Sequence, residues 1–160
     1  MATPVCPPDF LPGVDSDATS WYYVPRGGNY CMQPETQEWL AQAEYDMETA
    51  RAMYLAGRYI YTLFMCHLAL EKILKAYVVE RTKETPPKTH NLITLLRIGN
   101  PRLSQEYKEF IASIAAMGVT TRYPGSLDRA LKRYTKEVAR EFLEKTQEVF
   151  TCLKRGISAK

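Results

Sequence analysis

Residues 58–81 read RYIYTLFMCHLALEKILKAYVVER, and this stretch decides the fold class of the chain. Its apolar side chains recur at intervals of three and four residues, which is the period of an α-helix with a buried side. Pro86 and Pro87 follow closely, and proline ends a helix because it lacks the amide donor. The stretch therefore predicts a long helix whose buried side consists of Ile60, Leu63, Phe64, Leu70, Leu74, Tyr77 and Val78.

The same spacing predicts further helices on both sides of this one. One runs from Glu35 to near Gly57, a short one covers residues 90–97 with Thr89 as its N-cap, and two more cover residues 103–117 and 135–154. Residues 119–125 are predicted to form a loop, because they combine two threonines with a Pro-Gly pair. Strand-like alternation is absent from the sequence, so we predict an all-α, antiparallel up-and-down bundle of four to five helices.

The first 34 residues differ from the rest in composition. Six of the ten prolines lie there, together with an aromatic group that includes Trp21 and Tyr22. Proline excludes helix, but solvated linkers are poor in aromatic residues. We therefore predict two parts: an extended arm over residues 1–34, packed on the bundle or on a second subunit, and a helical bundle domain over residues 35–160.

The charge of the chain favours occasional anionic ligands. Residues 1–34 carry three aspartates and one arginine, a balance of −2, so the formal net charge of +3 leaves +5 on the remaining residues. That excess suits nucleotides or RNA and is too small to predict a DNA-binding protein.

The cysteines and the N-terminus indicate a reduced, cytoplasmic protein. The four cysteines form no C-x-x-C pair and no zinc-ligand spacing, so no metal site and no other cofactor is predicted. Cys66 and Cys152 fall within helical patterns and are expected to fill the core. The sequence has no basic stretch followed by an apolar run at its start and no apolar window of about 18 residues, so no membrane association is expected.

The long helix also carries a stripe of polar residues. His67, Glu71 and Lys75 are spaced four residues apart and must lie along one side of it, and Asp46 interrupts the apolar side of the preceding helix. Two interpretations are open. The residues form a buried hydrogen-bonded network that fixes the register of the helices, or they contribute to a ligand site.

Three other segments could bind an anion. His90, with Lys88 nearby, begins the short predicted helix, whose N-terminus offers free amides; Arg122 could bind phosphate and Tyr123 could stack on a base. A basic run precedes and enters the last helix and forms either a solvated face or an RNA-binding surface. It consists of Arg129, Lys132, Arg133, Lys136 and Arg140.

Four motifs follow one another along the helical part of the sequence. They are Ala43-Glu44-Tyr45-Asp46 with Ala50, LALEKILKA at residues 68–76, Thr89-His90-Asn91-Leu92 with Leu95-Leu96, and Arg122-Tyr123-Pro124. Taken together, these motifs resemble the HEPN family, the higher eukaryote and prokaryote nucleotide-binding domains, over about residues 36–154. The resemblance implies an up-and-down helical bundle that is commonly a homodimer and is often encoded beside a minimal nucleotidyltransferase. Many relatives are toxins that cut RNA without a metal.

The ribonuclease signature of that family, an Arg followed after four to six residues by a His, is absent here. Arg58 precedes His67, and Arg81 precedes His90, with eight residues between in each case. The sequence therefore predicts a non-catalytic module that binds nucleotide or RNA and acts with a nucleotidyltransferase partner. The alternatives are a metal-independent ribonuclease toxin of a toxin–antitoxin pair, using His90 and Arg122, and a purely structural dimer.

For the ligand itself we predict one cleft. Lys75 and Arg122 would hold phosphate, Tyr123 would stack on a base, and His90 would contribute a hydrogen bond. In the alternative arrangement, Arg122 pairs inside the bundle with Glu71 or Asp46.

Overall fold

The structure is a computed structural model that describes the main chain of residues 32–122 and 125–158, and the side chains of residues 32–118 and 125–158. The predicted all-α class is confirmed, since the two described ranges contain helices and no strand. None of the helices in these ranges is long and apolar enough to span a bilayer. The expected contacts of Trp21 and Tyr22 lie outside the described residues. The helices are α1 (Pro34–Leu55), α2 (Tyr59–Thr82), α3 (Leu92–Gly99), α4 (Gln105–Arg122), α5 (Leu127–Arg133) and α6 (Lys136–Ser158).

Side-chain contacts set the directions of the long helices. Thr36 near the start of α1 meets Glu80 near the end of α2, and Asp46 further along α1 meets Lys72 earlier in α2. The two helices are therefore antiparallel. The same pattern relates α4 and α6, where Glu106 meets Lys145 while the Phe110 and Phe142 rings lie 5.5 Å apart. The long helices thus run up and down, and α3 and α5 lie in the connections.

Helix α2 is the central element of the bundle, because it contacts each of the other five helices. This position explains why its residues 73–80 are buried without interruption. Six of the seven residues predicted for its buried side are buried, and Phe64 is partly exposed. The main core combines α2 with residues of α1, α3, α4 and α6, including Ala43, Met47, Leu70, Ile73, Leu74, Leu92, Leu95, Ile111, Ile114, Val149, Phe150 and Leu153.

The loop predicted for residues 119–125 is wrong for its first four residues. Helix α4 continues through them and ends at Arg122. Threonine lowers helix propensity by only a few tenths of a kcal/mol, roughly, so a helix already formed over four turns can extend through two of them. Proline disfavours the helical conformation at the residue that precedes it. In keeping with this restriction, α4 ends at Arg122, two residues before Pro124.

The start of the short helix also differs from the prediction. Asn91 is the N-cap of α3, and its Oδ1 accepts hydrogen bonds from the amides of Ile93 at 3.0 Å and Thr94 at 3.2 Å. Thr89, the predicted cap, instead accepts a hydrogen bond from the amide of Asn91 through its Oγ1. His90 consequently lies in the connection before the helix and not in its first turn.

The two described cysteines differ in exposure, and only Cys66 fits the prediction of a core residue. Burial raises the pKa of the Cys66 thiol to about 12, and the side chain of Thr146 offsets part of this effect. Cys152 is partly exposed. Its position on α6 faces a groove that the apolar spacing alone does not reveal.

We predict that iodoacetamide at pH 8 alkylates Cys152 and leaves Cys66 unmodified in the folded protein. The reacting species is the thiolate, and a pKa near 12 leaves about one Cys66 thiol in 10,000 ionised at that pH. Peptide mass spectrometry after timed alkylation measures both sites. Chain unfolded in urea should label at both cysteines, and equal labelling rates in the folded protein would contradict the burial of Cys66.

Candidate functional site

The buried carboxylate of Glu71 lies at the centre of a polar cluster. Glu71, on α2, accepts a hydrogen bond from Lys75 Nζ at 2.8 Å and from His90 Nδ1 at 3.0 and 3.1 Å to its two oxygens. Lys75 Nζ also lies 4.8 Å from the ring centroid of Trp39 on α1. We call these four residues the Glu71 cluster. Three separate segments of the chain thus meet around one carboxylate.

Within the cluster, His90 is the member that faces solvent. Its side chain is 69% exposed, whereas that of Glu71 is 5% exposed. A carboxylate can only accept, so the hydrogen bond assigns the proton of the imidazole to Nδ1. In the neutral ring, Nε2 is then an acceptor at the opposite side of the imidazole. Glu71 therefore fixes both the orientation and the tautomer of an exposed histidine.

Lys75, which was predicted to hold phosphate, is buried in the bundle. Its side chain is 9% exposed, and its ammonium group is shared between the Glu71 carboxylate and the face of Trp39. Both contacts stabilise a buried cation. The structure thus places Lys75 inside the bundle as the partner of Glu71.

Asp46 and His67, the other predicted members of a polar network, are buried at separate points. Asp46 forms an ion pair with Lys72 at 2.7 Å. His67 Nδ1 lies 3.4 Å from the carbonyl oxygen of Ile114 on α4, and a Cβ added at Gly118 would come within 2.6 Å of the imidazole. Glycine at position 118 therefore lets α4 pack directly against the His67 ring.

The segment that contains Arg122 and Tyr123 is described in part. Arg122 is the last residue of α4, and its side chain and all of Tyr123 lie outside the described residues. Gly118 lies opposite His67, and α4 continues from there toward the start of α2. Arg122 and Glu71 each lie one turn from that contact, in opposite directions, so their main chains differ by roughly 12 Å along the bundle.

The predicted basic run is exposed at all five positions, on α5 and the first turns of α6. Lys132 pairs with Asp128 one turn away at 2.7 Å, and the Arg133 guanidinium lies 5.7 Å from the ring centroid of Tyr134. A surface pair of this kind contributes little stability. The run therefore presents a cationic surface to solvent.

The contact between Trp39 and Lys75 was missed by sequence reasoning. The sequence indicates no site role for Trp39, yet its ring covers the Lys75 ammonium. The sequence carries no signal for this contact, because it depends on the register of α1 against α2, which the Thr36–Glu80 hydrogen bond shows in the structure. No group of three or more His, Cys, Asp or Glu side chains within residues 32–122 and 125–158 could hold a metal ion.

The fold and this site define a small all-α domain that places an oriented histidine on its surface. The family model described as "HEPN domain" matches residues 36–156, and the chain belongs to the HEPN domain family. The comparison with curated proteins found no match.

Two solved structures show the same fold. The protein TT1696 from Thermus thermophilus is 19% identical, with a TM-score of 0.66, over 78% of this chain and 99% of that one. ST0689, described as an archaeal HEPN homologue, is 20% identical, with a TM-score of 0.62, over 76% of this chain and 97% of that one. At these identities the similarity establishes the fold.

Proposed function

We propose that this chain is a non-catalytic HEPN module that binds RNA or a nucleotide through the exposed face of His90. The observation that supports the proposal is the Glu71–His90 hydrogen bond, which holds an otherwise exposed imidazole in one orientation. A surface side chain normally loses rotamer entropy when it binds a ligand. Here Glu71 has already restricted the ring, so a hydrogen bond from Nε2 to a base or ribose costs less.

The positions of the other candidates favour an extended ligand over a mononucleotide. The main chain of Arg122 differs from the level of Glu71 by roughly 12 Å along the bundle, which is about two nucleotide steps. The exposed basic run on α5 and α6 offers additional phosphate contacts. In this proposal His90 reads one nucleotide, while Arg122 and Tyr123 contact neighbouring phosphate and base.

The resemblance to the HEPN family implies two partners for this module, a minimal nucleotidyltransferase and a second copy of the chain. We include both in the proposal. Such partners would cover large apolar groups on the surface, and several are more than half exposed in the described part of the chain. These are Tyr45, Leu55, Tyr61, Leu127 and Leu131.

We expect His90→Ala to raise the Kd for a fluorescein-labelled single-stranded RNA of about 20 nucleotides by roughly tenfold. A hydrogen bond to a charged or polarised group is worth about 1.5 kcal/mol, which is close to tenfold in affinity. Fluorescence anisotropy at 50 and 200 mM salt measures the change, and the affinity of both proteins should fall steeply with salt. The matched control is Thr94→Ala, which alters α3 without touching Glu71. Unchanged affinity in His90→Ala would remove His90 from the site.

The same Glu71–His90 contact favours a second candidate, a metal-independent ribonuclease. A histidine oriented by a carboxylate is a common general base, and it could deprotonate the ribose 2′-hydroxyl. Incubating the wild-type chain with the labelled RNA in EDTA distinguishes the two functions. Cleavage that His90→Ala abolishes and Thr94→Ala retains would reject the non-catalytic proposal, whereas intact RNA with retained binding supports it.

A further inference from the structure

A groove of about 710 Å³ lies between the end of α2, the connection from α3 to α4, and the end of α6. Three cationic side chains line it, and no carboxylate appears among its described lining residues. Arg81 comes from α2, Arg102 from the connection and Lys108 from the first turns of α4. Within the described residues none of the three forms an ion pair or a hydrogen bond through its side chain. Within the described part of the chain, the three charges therefore face one space without a compensating carboxylate.

The floor of the groove is built around Tyr77. Its ring is 8% exposed and packs between two glycines, Gly99 at the end of α3 and Gly156 on α6. A Cβ at Gly156 would lie 3.1 Å from the ring, and one at Gly99 would lie 3.4 Å from it. These two residues let α3 and α6 close against the tyrosine. Its hydroxyl has no hydrogen-bond partner within the described residues, and Tyr77 lines the groove together with Asn100.

We infer that this groove is a binding site for a chain of two or more linked phosphate groups. Two guanidinium groups can each bind a phosphate through paired N–H donors, and the ammonium of Lys108 adds a third positive charge. Tyr77 and Asn100 supply neutral hydrogen bonds. Three cations against one phosphate would leave excess charge, and an oligophosphate carries the several negative charges that match them.

The site is separate from the one proposed for His90. Tyr77 and Arg81 project from α2 at an angle of roughly 80° to 160° from Glu71 and Lys75, so the groove and the Glu71 cluster occupy different sides of the helix. The inference does not depend on the proposed RNA-binding function. His90→Ala should leave phosphate binding in the groove unchanged, which makes the two failures distinguishable.

Cys152 lines the groove and provides a direct probe. The test uses the full chain with Cys6→Ser and Cys31→Ser, which leaves two thiols. Cys66 is buried, so alkylation then reports on Cys152. We expect inorganic tripolyphosphate to slow iodoacetamide alkylation of Cys152 in a saturable manner, at ionic strength held constant with sodium chloride. Orthophosphate should need roughly tenfold higher concentration for half-protection, because it makes fewer charge-assisted bonds.

Substitutions then locate the binding groups. Arg102→Ala and Lys108→Ala should each raise the half-protection concentration about tenfold, with thermal melts within about 2 °C of the parent. Arg97→Ala, an exposed position on α3 outside the groove, is the matched control and should change nothing. Arg102→Gln repeats the test with a longer side chain, in case the alanine variant folds poorly.

The outcomes separate clearly. Absence of protection, protection reproduced by sodium chloride alone, or equal protection in Arg97→Ala and Arg102→Ala would overturn the inference. Saturable protection lost in the groove variants supports it. A nucleoside triphosphate run beside tripolyphosphate identifies the source of the phosphate chain, since tighter binding of the nucleotide would assign the rest of the groove to its nucleoside.

Discussion

Glu71→Ala is expected to lower the free energy of unfolding by about 3 to 5 kcal/mol, because it leaves the buried Lys75 ammonium without its counter-charge. For a chain of this size that loss corresponds to roughly 6 to 20 °C in melting temperature. Urea unfolding followed by circular dichroism measures it. A loss below about 1 kcal/mol would mean that water or another group already compensates Lys75.

The double variant Glu71→Leu/Lys75→Met is the control for this prediction. It removes both charges and replaces them with apolar side chains of similar volume, which is commonly close to neutral in stability. We therefore expect the double variant to be more stable than Glu71→Ala. The ion pair would then fix the position of His90 and contribute little net stability. RNA affinity should fall in both variants, since neither retains the acceptor that orients the imidazole.

The fold was predictable because its determinant is local and repeated. Apolar residues at helical intervals identify α1, α2, α4 and α6, and Pro86 and Pro87 mark the end of α2. The position of His67, Glu71 and Lys75 on one side of α2 was also predictable, since residues four apart on a helix share a side, whereas their burial is seen only in the structure. These properties depend on sequence neighbours, which the sequence shows directly.

The partners of those polar residues were not predictable in the same way. Asp46 could have paired with Lys72 or Lys75, and Glu71 with several cations. The axial register of α1 against α2 decides that Asp46 meets Lys72 while Trp39 meets Lys75. A register shift of one helical turn would bring Asp46 to Lys75, and the sequence contains no signal that excludes such a shift.

The basic groove was missed for a related reason. Arg81 and Arg102 are separated by 20 intervening residues and belong to different elements, so no local pattern connects them. Their meeting depends on the close packing of Tyr77 between Gly99 and Gly156. Single glycines near helix ends are common for other reasons, so neither position indicated a close contact between helices.

Helix α1 begins without a side-chain cap of its own, and Glu80 of α2 supplies one from a distance. Gln33, the N-cap residue, makes no capping hydrogen bond through its side chain. Glu80 Oε2 instead accepts from the Thr36 hydroxyl at 3.0 Å and from the Gln33 amide at 3.4 Å, while Lys83 Nζ donates to the other oxygen at 2.6 Å. A carboxylate is favourable at this position because the N-terminus of a helix carries positive potential.

Glu80→Ala is accordingly expected to lower the free energy of unfolding by about 2 to 4 kcal/mol. The variant removes the cap of α1 and leaves the fully buried Thr36 hydroxyl without the Glu80 carboxylate as its hydrogen-bond acceptor. Glu80→Gln keeps an acceptor oxygen for Thr36 and removes the charge, so it should lose less than half as much. Urea unfolding gives the two values, and hydrogen exchange locates them, with the amides of residues 34–37 exchanging faster in the alanine variant. Equal losses in the two variants would show that the charge of Glu80, and not its hydrogen bond to Thr36, secures the start of α1.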